Sequence, residues 1–144
     1  MQRAAVFVEQ RRVVQHAVKQ YDADVVIYRP FSGYGEDQSF DYPFPSIVRR
    51  IVNQEDPITV WGSGWQCRDF IHIDDVVEAV MQTKDVLKPG EVLNLGTGRP
   101  MSFYELVNMA ANLGVGGATV PKVESDTTKP EGVFYRVADT YRLD

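Results

Sequence analysis

The stretch Arg68-Asp69-Phe70-Ile71-His72-Ile73-Asp74-Asp75-Val76 changes backbone period part-way along. From Arg68 to Ile73 it is short, aromatic and β-branched, as a strand is. Asp74 and Asp75 then offer N-cap oxygens, and Asp75 with Glu78 has capping-box spacing. That pattern predicts a helix from Val76 to Leu87, stopped by Pro89-Gly90.

The same alternation continues on both sides. Upstream, Ile58 to Trp61 reads as a short strand followed by a Gly62-Ser63-Gly64 turn. A helix is expected after Pro45, carrying Ile47, Val48, Ile51 and Val52. Residues 30–43 are rich in Gly, Pro, Asp and Ser and read as a loop long enough to be functional. Before it, Asp24-Val25-Val26-Ile27-Tyr28-Arg29, ended by Pro30, reads as a buried parallel strand. In the first 21 residues, Val6, Val13, Val14, Ala17, Val18 and Tyr21 recur at helical spacing, predicting a helix over 4–21 with His16 on its exposed face. Downstream, Glu91 to Leu95 is a strand running into Gly96-Thr97-Gly98. Ser102-x-x-Glu105 is a second capping box, for a helix ending at Gly114. Thr119 to Val123 is a last expected strand, and Lys129-Pro130-Glu131-Gly132 a turn. Strands alternating with helices place the chain in the α/β class.

Bulk properties narrow the function. The 144 residues suit one domain, with 44% hydrophobic and 24% charged residues. A net charge of -5 lacks the basic surplus of a nucleic-acid binder. No apolar run is long enough to span a bilayer, and the first residues lack a signal peptide's apolar core, so a cytoplasmic location is expected. A single cysteine, Cys67, excludes an internal disulfide, and no His/Cys cluster suggests a metal.

Three stretches together resemble the NAD-dependent epimerase/dehydratase members of the extended short-chain dehydrogenase/reductase family, which act on nucleotide sugars. They are Tyr28-Arg29-Pro30-Phe31-Ser32-Gly33-Tyr34-Gly35, then Trp61-Gly62-Ser63-Gly64 with the run from Arg68 to Val76, then Asn94-Leu95-Gly96-Thr97-Gly98. Their order and spacing fit the family from about residue 5 to residue 141. The resemblance implies a partial Rossmann-like fold: the C-terminal strands and helices with the substrate-binding subdomain, and the N-terminal dinucleotide-binding part absent. Strands 24–29 and 91–95 would then belong to the family's large parallel sheet.

Two elements of the family's chemistry are missing. Dinucleotide binding needs a glycine-rich turn that lets a pyrophosphate reach backbone N–H groups at a helix N-terminus. Neither Gly-x-Gly-x-x-Gly nor Gly-x-x-Gly-x-x-Gly occurs, and in Gly96-Thr97-Gly98 the third glycine position holds Met101. The family's proton transfer uses Tyr-x-x-x-Lys, and none of the seven tyrosines has lysine four residues on. By counting back from Val25, that pair falls on Arg3 and Phe7. No catalytic residue and no NAD(P) bound by this chain alone are therefore expected.

What the resemblance leaves is substrate binding. Arg68, opening its motif, matches the family arginine that contacts the nucleotide's phosphate or ribose, and Arg136 matches a second one. An alternative for each is a structural arginine paired with Asp69 or Asp139. Ser32 stands where relatives often carry the asparagine that holds the diphosphate, and Glu36 stands in place of a proline. Trp61 falls where relatives line the base pocket, though a tryptophan ending a strand also suits a core. Trp65 is expected exposed, His72 buried and hydrogen-bonded, and Cys67 inert. Without a dinucleotide-binding half, helix 4–21 and the apolar faces of both outer strands would lose cover. Each exposed Val or Ile forgoes about 1.5–3 kcal/mol, which favours a homodimer or higher oligomer. The competing functions are a nucleotide-sugar binding module, an oligomerising remnant without ligand, and a subunit completed by a separate Rossmann chain.

Overall fold

The computed structural model describes residues 2–114 and 119–141, with side chains from Arg12 onward. In chain order its elements are α1 (Gln2–Tyr21), β1 (Ile27–Pro30), β2 (Ser32–Tyr34), α2 (Pro43–Val52), β3 (Ile58–Trp61), β4 (Cys67–Arg68), β5 (Phe70–His72), α3 (Ile73–Thr83), β6 (Val92–Leu95), β7 (Met101–Ser102), α4 (Phe103–Asn112), β8 (Val123–Asp126) and β9 (Tyr135–Arg136). The α/β alternation is as the periodicity predicts. No helix among the described residues is long and apolar enough to cross a membrane.

Strand pairing is mostly parallel. β1 lies beside β6 with Ile27 opposite Val92, β2 beside β5 with Ser32 opposite Phe70, and β3 beside β8 with Ile58 opposite Val123. β4 sits between an antiparallel β7 and a parallel β9, which places Arg68 opposite Arg136. The 24–29 and 91–95 regions, both expected in a parallel sheet, lie beside one another in parallel; β1 starts only at Ile27 and is half-buried to exposed where the sequence predicts a buried strand.

The main core lies between α2, α4 and β3. Ile47, Ile51, Ile58, Val60, Phe103, Leu106, Val107, Ala110 and Ala111 are buried together, with Phe44, Val48, Phe70, Met101 and Val123 packed around them. Ile47 and Ile51 lie one turn apart on α2, and 103, 106, 107, 110 and 111 form the inward face of α4. The Ser102/Glu105 capping box is formed: the Glu105 N–H donates to Ser102 Oγ (3.2 Å), and the Ser102 N–H donates to the Glu105 carboxylate (2.7 Å).

Several expectations are corrected. The 30–43 loop contains β2, because the Ser32 N–H donates to the Asp69 carbonyl and leads the chain into pairing with β5. α2 starts at Pro43, ahead of Pro45. Proline is tolerated in a first turn, whose N–H groups lack intrahelical partners anyway. The expected strand 68–73 splits in two at Asp69, and its halves join different sheets. α3 begins at Ile73 and ends at Thr83. Its N-cap is His72, whose Nδ1 accepts the Asp74 N–H at 3.2 Å, so Asp74 and Asp75 are first-turn acids at the positive end of the helix dipole and not caps. The strand expected at 119–123 lies instead at Val123–Asp126, and it is not the last, since β9 follows it. The apolar face of 91–95 does not lose cover: Leu93 and Leu95 are buried, and only the outer residues Val13, Tyr21 and Val25 stand exposed as expected. Val6 lies outside the described side chains, as do Arg3 and Phe7.

Replacing Ile51, which is 1% exposed, with alanine is expected to lower unfolding free energy by about 3 kcal/mol. Ser102→Ala should cost about 1 kcal/mol through loss of the cap. Urea denaturation followed by circular dichroism measures both.

Candidate functional site

Asp69 stands at the break between β4 and β5 and has no exposed surface. Its Oδ1 accepts the Thr97 N–H (2.8 Å) and the Thr97 hydroxyl (2.6 Å), and its Oδ2 accepts the N–H groups of Gly98 (2.9 Å) and Ala138 (3.1 Å). Burial by itself would raise the carboxyl's pKa. The bonds from Thr97, Ala138 and Gly98 outweigh it and hold the group below the ordinary aspartate value. The Gly96-Thr97-Gly98 turn is shaped around this carboxylate. A Cβ on residue 96 would fall 2.6 Å from Oδ2 and 2.5 Å from the Ala138 Cβ, and Gly98 adopts φ +70.

Arg68 precedes Asp69 and is half-buried. Its Nη1 donates to the carbonyls of Cys67 (2.8 Å) and Val133 (2.6 Å), and the guanidinium carbon lies 5.8 Å from the centre of the Phe103 ring. Among the described residues, its Nε and Nη2 meet no acceptor and neither Arg68 nor Arg136 forms an ion pair. Burial first, and then the charge of Arg136, lowers the Arg68 pKa, while Glu131 acts in the opposite sense. Asp69 is therefore not the partner of Arg68, because its oxygens are already occupied, and Asp139 does not pair with Arg136. Two guanidinium groups lie on neighbouring strands with little to neutralise them. Glu131, the nearby acid, is held by the Ser63 hydroxyl and N–H, which lower its pKa ahead of any effect of Arg68.

Trp61 ends β3 with 60% of its surface exposed, so it is not a core residue. Lys129 Nζ lies 5.9 Å from its ring centre, and its carbonyl accepts the buried Gln66 Nε2–H (2.6 Å). Gly62, beside it, packs against Glu131. Arg68, Arg136 and Trp61 are thus all arranged along the segment from Lys129 to Arg136. Ser32 lies on the other side of Asp69, whose carbonyl accepts the Ser32 N–H at 3.0 Å; the Ser32 hydroxyl has no partner among the described residues.

Other singled-out residues have structural explanations. His72 is half-buried and caps α3, so it is hydrogen-bonded as expected but not enclosed. Trp65 is exposed and packs on Tyr104 with ring centres 4.7 Å apart. Cys67 is half-buried, its thiol 3.4 Å from the Trp65 carbonyl. His16 and Glu36 are exposed. No cluster of metal-binding side chains occurs among the described residues.

The sequence profile of the NAD dependent epimerase/dehydratase family matches residues 8–96, more than half of the chain. The chain belongs to this family. A putative GDP-L-fucose synthase 2 of Arabidopsis thaliana is 30% identical over 133 residues, which cover 86% of this chain and 39% of that protein. The UDP-glucuronic acid 4-epimerase of Bacillus cereus, solved with UDP-glucuronic acid and NAD, superposes with a TM-score of 0.74 at 25% identity, over 89% of this chain and 40% of that one. The UDP-N-acetylglucosamine 4-epimerase of Methanobrevibacter ruminantium M1, solved with UDP-N-acetylmuramic acid, is similar in fold. Its TM-score is 0.80 at 21% identity, over 97% of this chain and 45% of that one. The chain thus spans about two fifths of the length of its relatives.

In this epimerase/dehydratase chain the residue that sequence reasoning passed over is Asp69. A signal for it was present: a lone acid inside an apolar strand run needs donors, and a Gly-x-Gly turn after a parallel strand supplies N–H groups that need an anion. Asp69→Asn keeps the side chain's shape but leaves one oxygen's donors without a good acceptor, and should cost about 2–4 kcal/mol. Because the folded carboxyl has the lowered pKa, its stabilisation is complete above about pH 4 and is lost as pH falls through the lower, folded value. Urea midpoints measured from pH 7 down to pH 2 should therefore fall less steeply for the Asn variant than for the parent.

Proposed function

We propose that this chain is a nucleotide-sugar binding unit that grips the ligand's diphosphate between Arg68 and Arg136 and performs no redox step by itself. The observation that carries this reading is the pair of arginines on adjacent strands, free of ion pairs among the described residues and with Nε and Nη2 of Arg68 still able to donate. A guanidinium edge matches two phosphate oxygens, and two guanidinium groups suit a diphosphate. Trp61, exposed at the end of β3, is the aromatic available to stack on the base, and Ser32 supplies a short hydroxyl donor where relatives often have asparagine. The names of the relatives, a GDP-fucose synthase and two UDP-sugar epimerases, support this class of ligand.

NAD is implied by the family, and the turn that most resembles a dinucleotide site does not fit it. The N–H groups of Thr97 and Gly98 are already bonded to Asp69, so a pyrophosphate would have to displace a buried carboxylate. No step is routed through the cofactor. Tyr-x-x-x-Lys is likewise missing from the sequence, which supports binding without proton transfer by that pair.

Titration calorimetry with UDP-, GDP- and dTDP-sugars tests this reading. Binding of at least one is expected, weakened about tenfold to a hundredfold by Arg68→Ala, the usual range for a charge-assisted hydrogen bond. Absence of heat with all three classes overturns it.

We further propose that two copies associate through the exposed apolar surfaces of α1 and α3. Val13 and Tyr21 on α1 are 62% and 74% exposed, and Ile73, Val77 and Met81 form an exposed stripe along α3. Sedimentation at micromolar concentration should show a dimer, and Val13→Glu should shift it toward monomer.

A further inference from the structure

We infer that Asp69 is a positioning residue for Arg136, fixing the second arginine of the pair without touching the ligand. β9 is only two residues long, and the side chains of Tyr135 and Arg136 are exposed, so little packing holds this segment. Its bonds come from either side. Arg68 Nη1 takes the Val133 carbonyl at 2.6 Å, the Cys67 N–H takes that of Phe134 at 2.7 Å, and Asp69 Oδ2 takes the Ala138 N–H at 3.1 Å. Arg136 lies between these anchors. Beyond them, Asn94 Nδ2 donates to the Asp139 carbonyl at 3.2 Å. The consecutive residues Arg68 and Asp69 therefore hold one strand segment at both ends, and the carboxylate fixes its far end. That carboxylate is rigid because Thr97 and Gly98 saturate it from the other side. The geometry stands apart from the diphosphate reading; only its use in ligand binding rests on that reading.

The test turns on the sign of an effect. Asp69→Asn removes a negative charge close to a proposed anion site, and Coulomb's law alone would then tighten UDP. Positioning requires the opposite. The 144-residue chain and its D69N, R136A and doubly substituted forms are titrated with UDP, without denaturant and at a pH where each is folded. D69N is expected to weaken UDP about tenfold, much as R136A does, and the double variant to lose little more, because coupled sites are non-additive. Limited trypsin digestion gives a ligand-free readout. Cleavage after Arg136 should accelerate in D69N relative to cleavage after Arg50 in α2, which global unfolding would raise equally. Thr97→Val, which removes one bond from the carboxylate at nearly constant shape, should move both readouts the same way by less, and it stands in if D69N does not fold. Unchanged or tighter UDP binding with an unchanged cleavage ratio overturns the inference, as does full additivity with R136A. If the parent chain binds no UDP, the diphosphate reading falls, and the cleavage ratio alone decides whether Asp69 fixes Arg136.

Discussion

A carboxylate with no exposed surface can stay ionised inside a protein only where hydrogen-bond donors replace its lost water. Asp69 meets that condition through four donors contributed by Thr97, Gly98 and Ala138. The strand pairs share few members: β1 pairs with β6, β2 with β5, and β4 with β7 and β9. Asp69 links all three groups. Its carbonyl takes the first N–H of β2, its side chain takes the turn that follows β6, and its second oxygen takes the segment that follows β9. The strand break at this residue is the geometric consequence, since no single sheet can satisfy those directions.

The remaining pair, β3 and β8, is held differently. Ile58 and Val60 face α2 and α4 in the apolar core, and the capping box at Ser102 fixes where α4 begins. The chain thus has a greasy half and a polar seam, with the Gly62–Gly64 turn and the 129–136 segment running between them. The candidate diphosphate grip lies on that seam. Arg68 spans both halves: its guanidinium rests near the Phe103 ring of the core while its Nη1 holds the backbone of the polar segment.

The elements with strong local signals were legible in the sequence. The capping box at Ser102, the apolar run ending at Leu95 and the periodicity of α2 each depend on near neighbours, and each is found within a few residues of its expected place. Misreadings arose where a distant contact decides the conformation. Nothing in the Gly- and Pro-rich run from Pro30 announces a strand at Ser32, because its partner is Phe70. His72 takes the cap from two aspartates because β5 delivers its ring to the helix start. Trp61 stands in solvent because its strand ends there and its carbonyl, not its ring, is bound by Gln66. At the candidate site, the type and position of Arg68 and Arg136 were readable through the family resemblance, whereas their freedom from Asp69 was not, since the donors that occupy Asp69 come from residues 97, 98 and 138.

Each paired strand finds its neighbour far along the chain: Ile27 with Val92, Ser32 with Phe70, Ile58 with Val123, Cys67 with Tyr135. There is no hairpin among them that could form first and template the rest. Every ladder requires closure of a long loop whose entropy is lost before any strand bond is gained. α2 and α4, built from local bonds and joined by one apolar face, are the elements able to consolidate early. Assembly of this chain is accordingly governed by slow, non-local searching, in which β4 stays open on one edge until β9, the last strand, joins it.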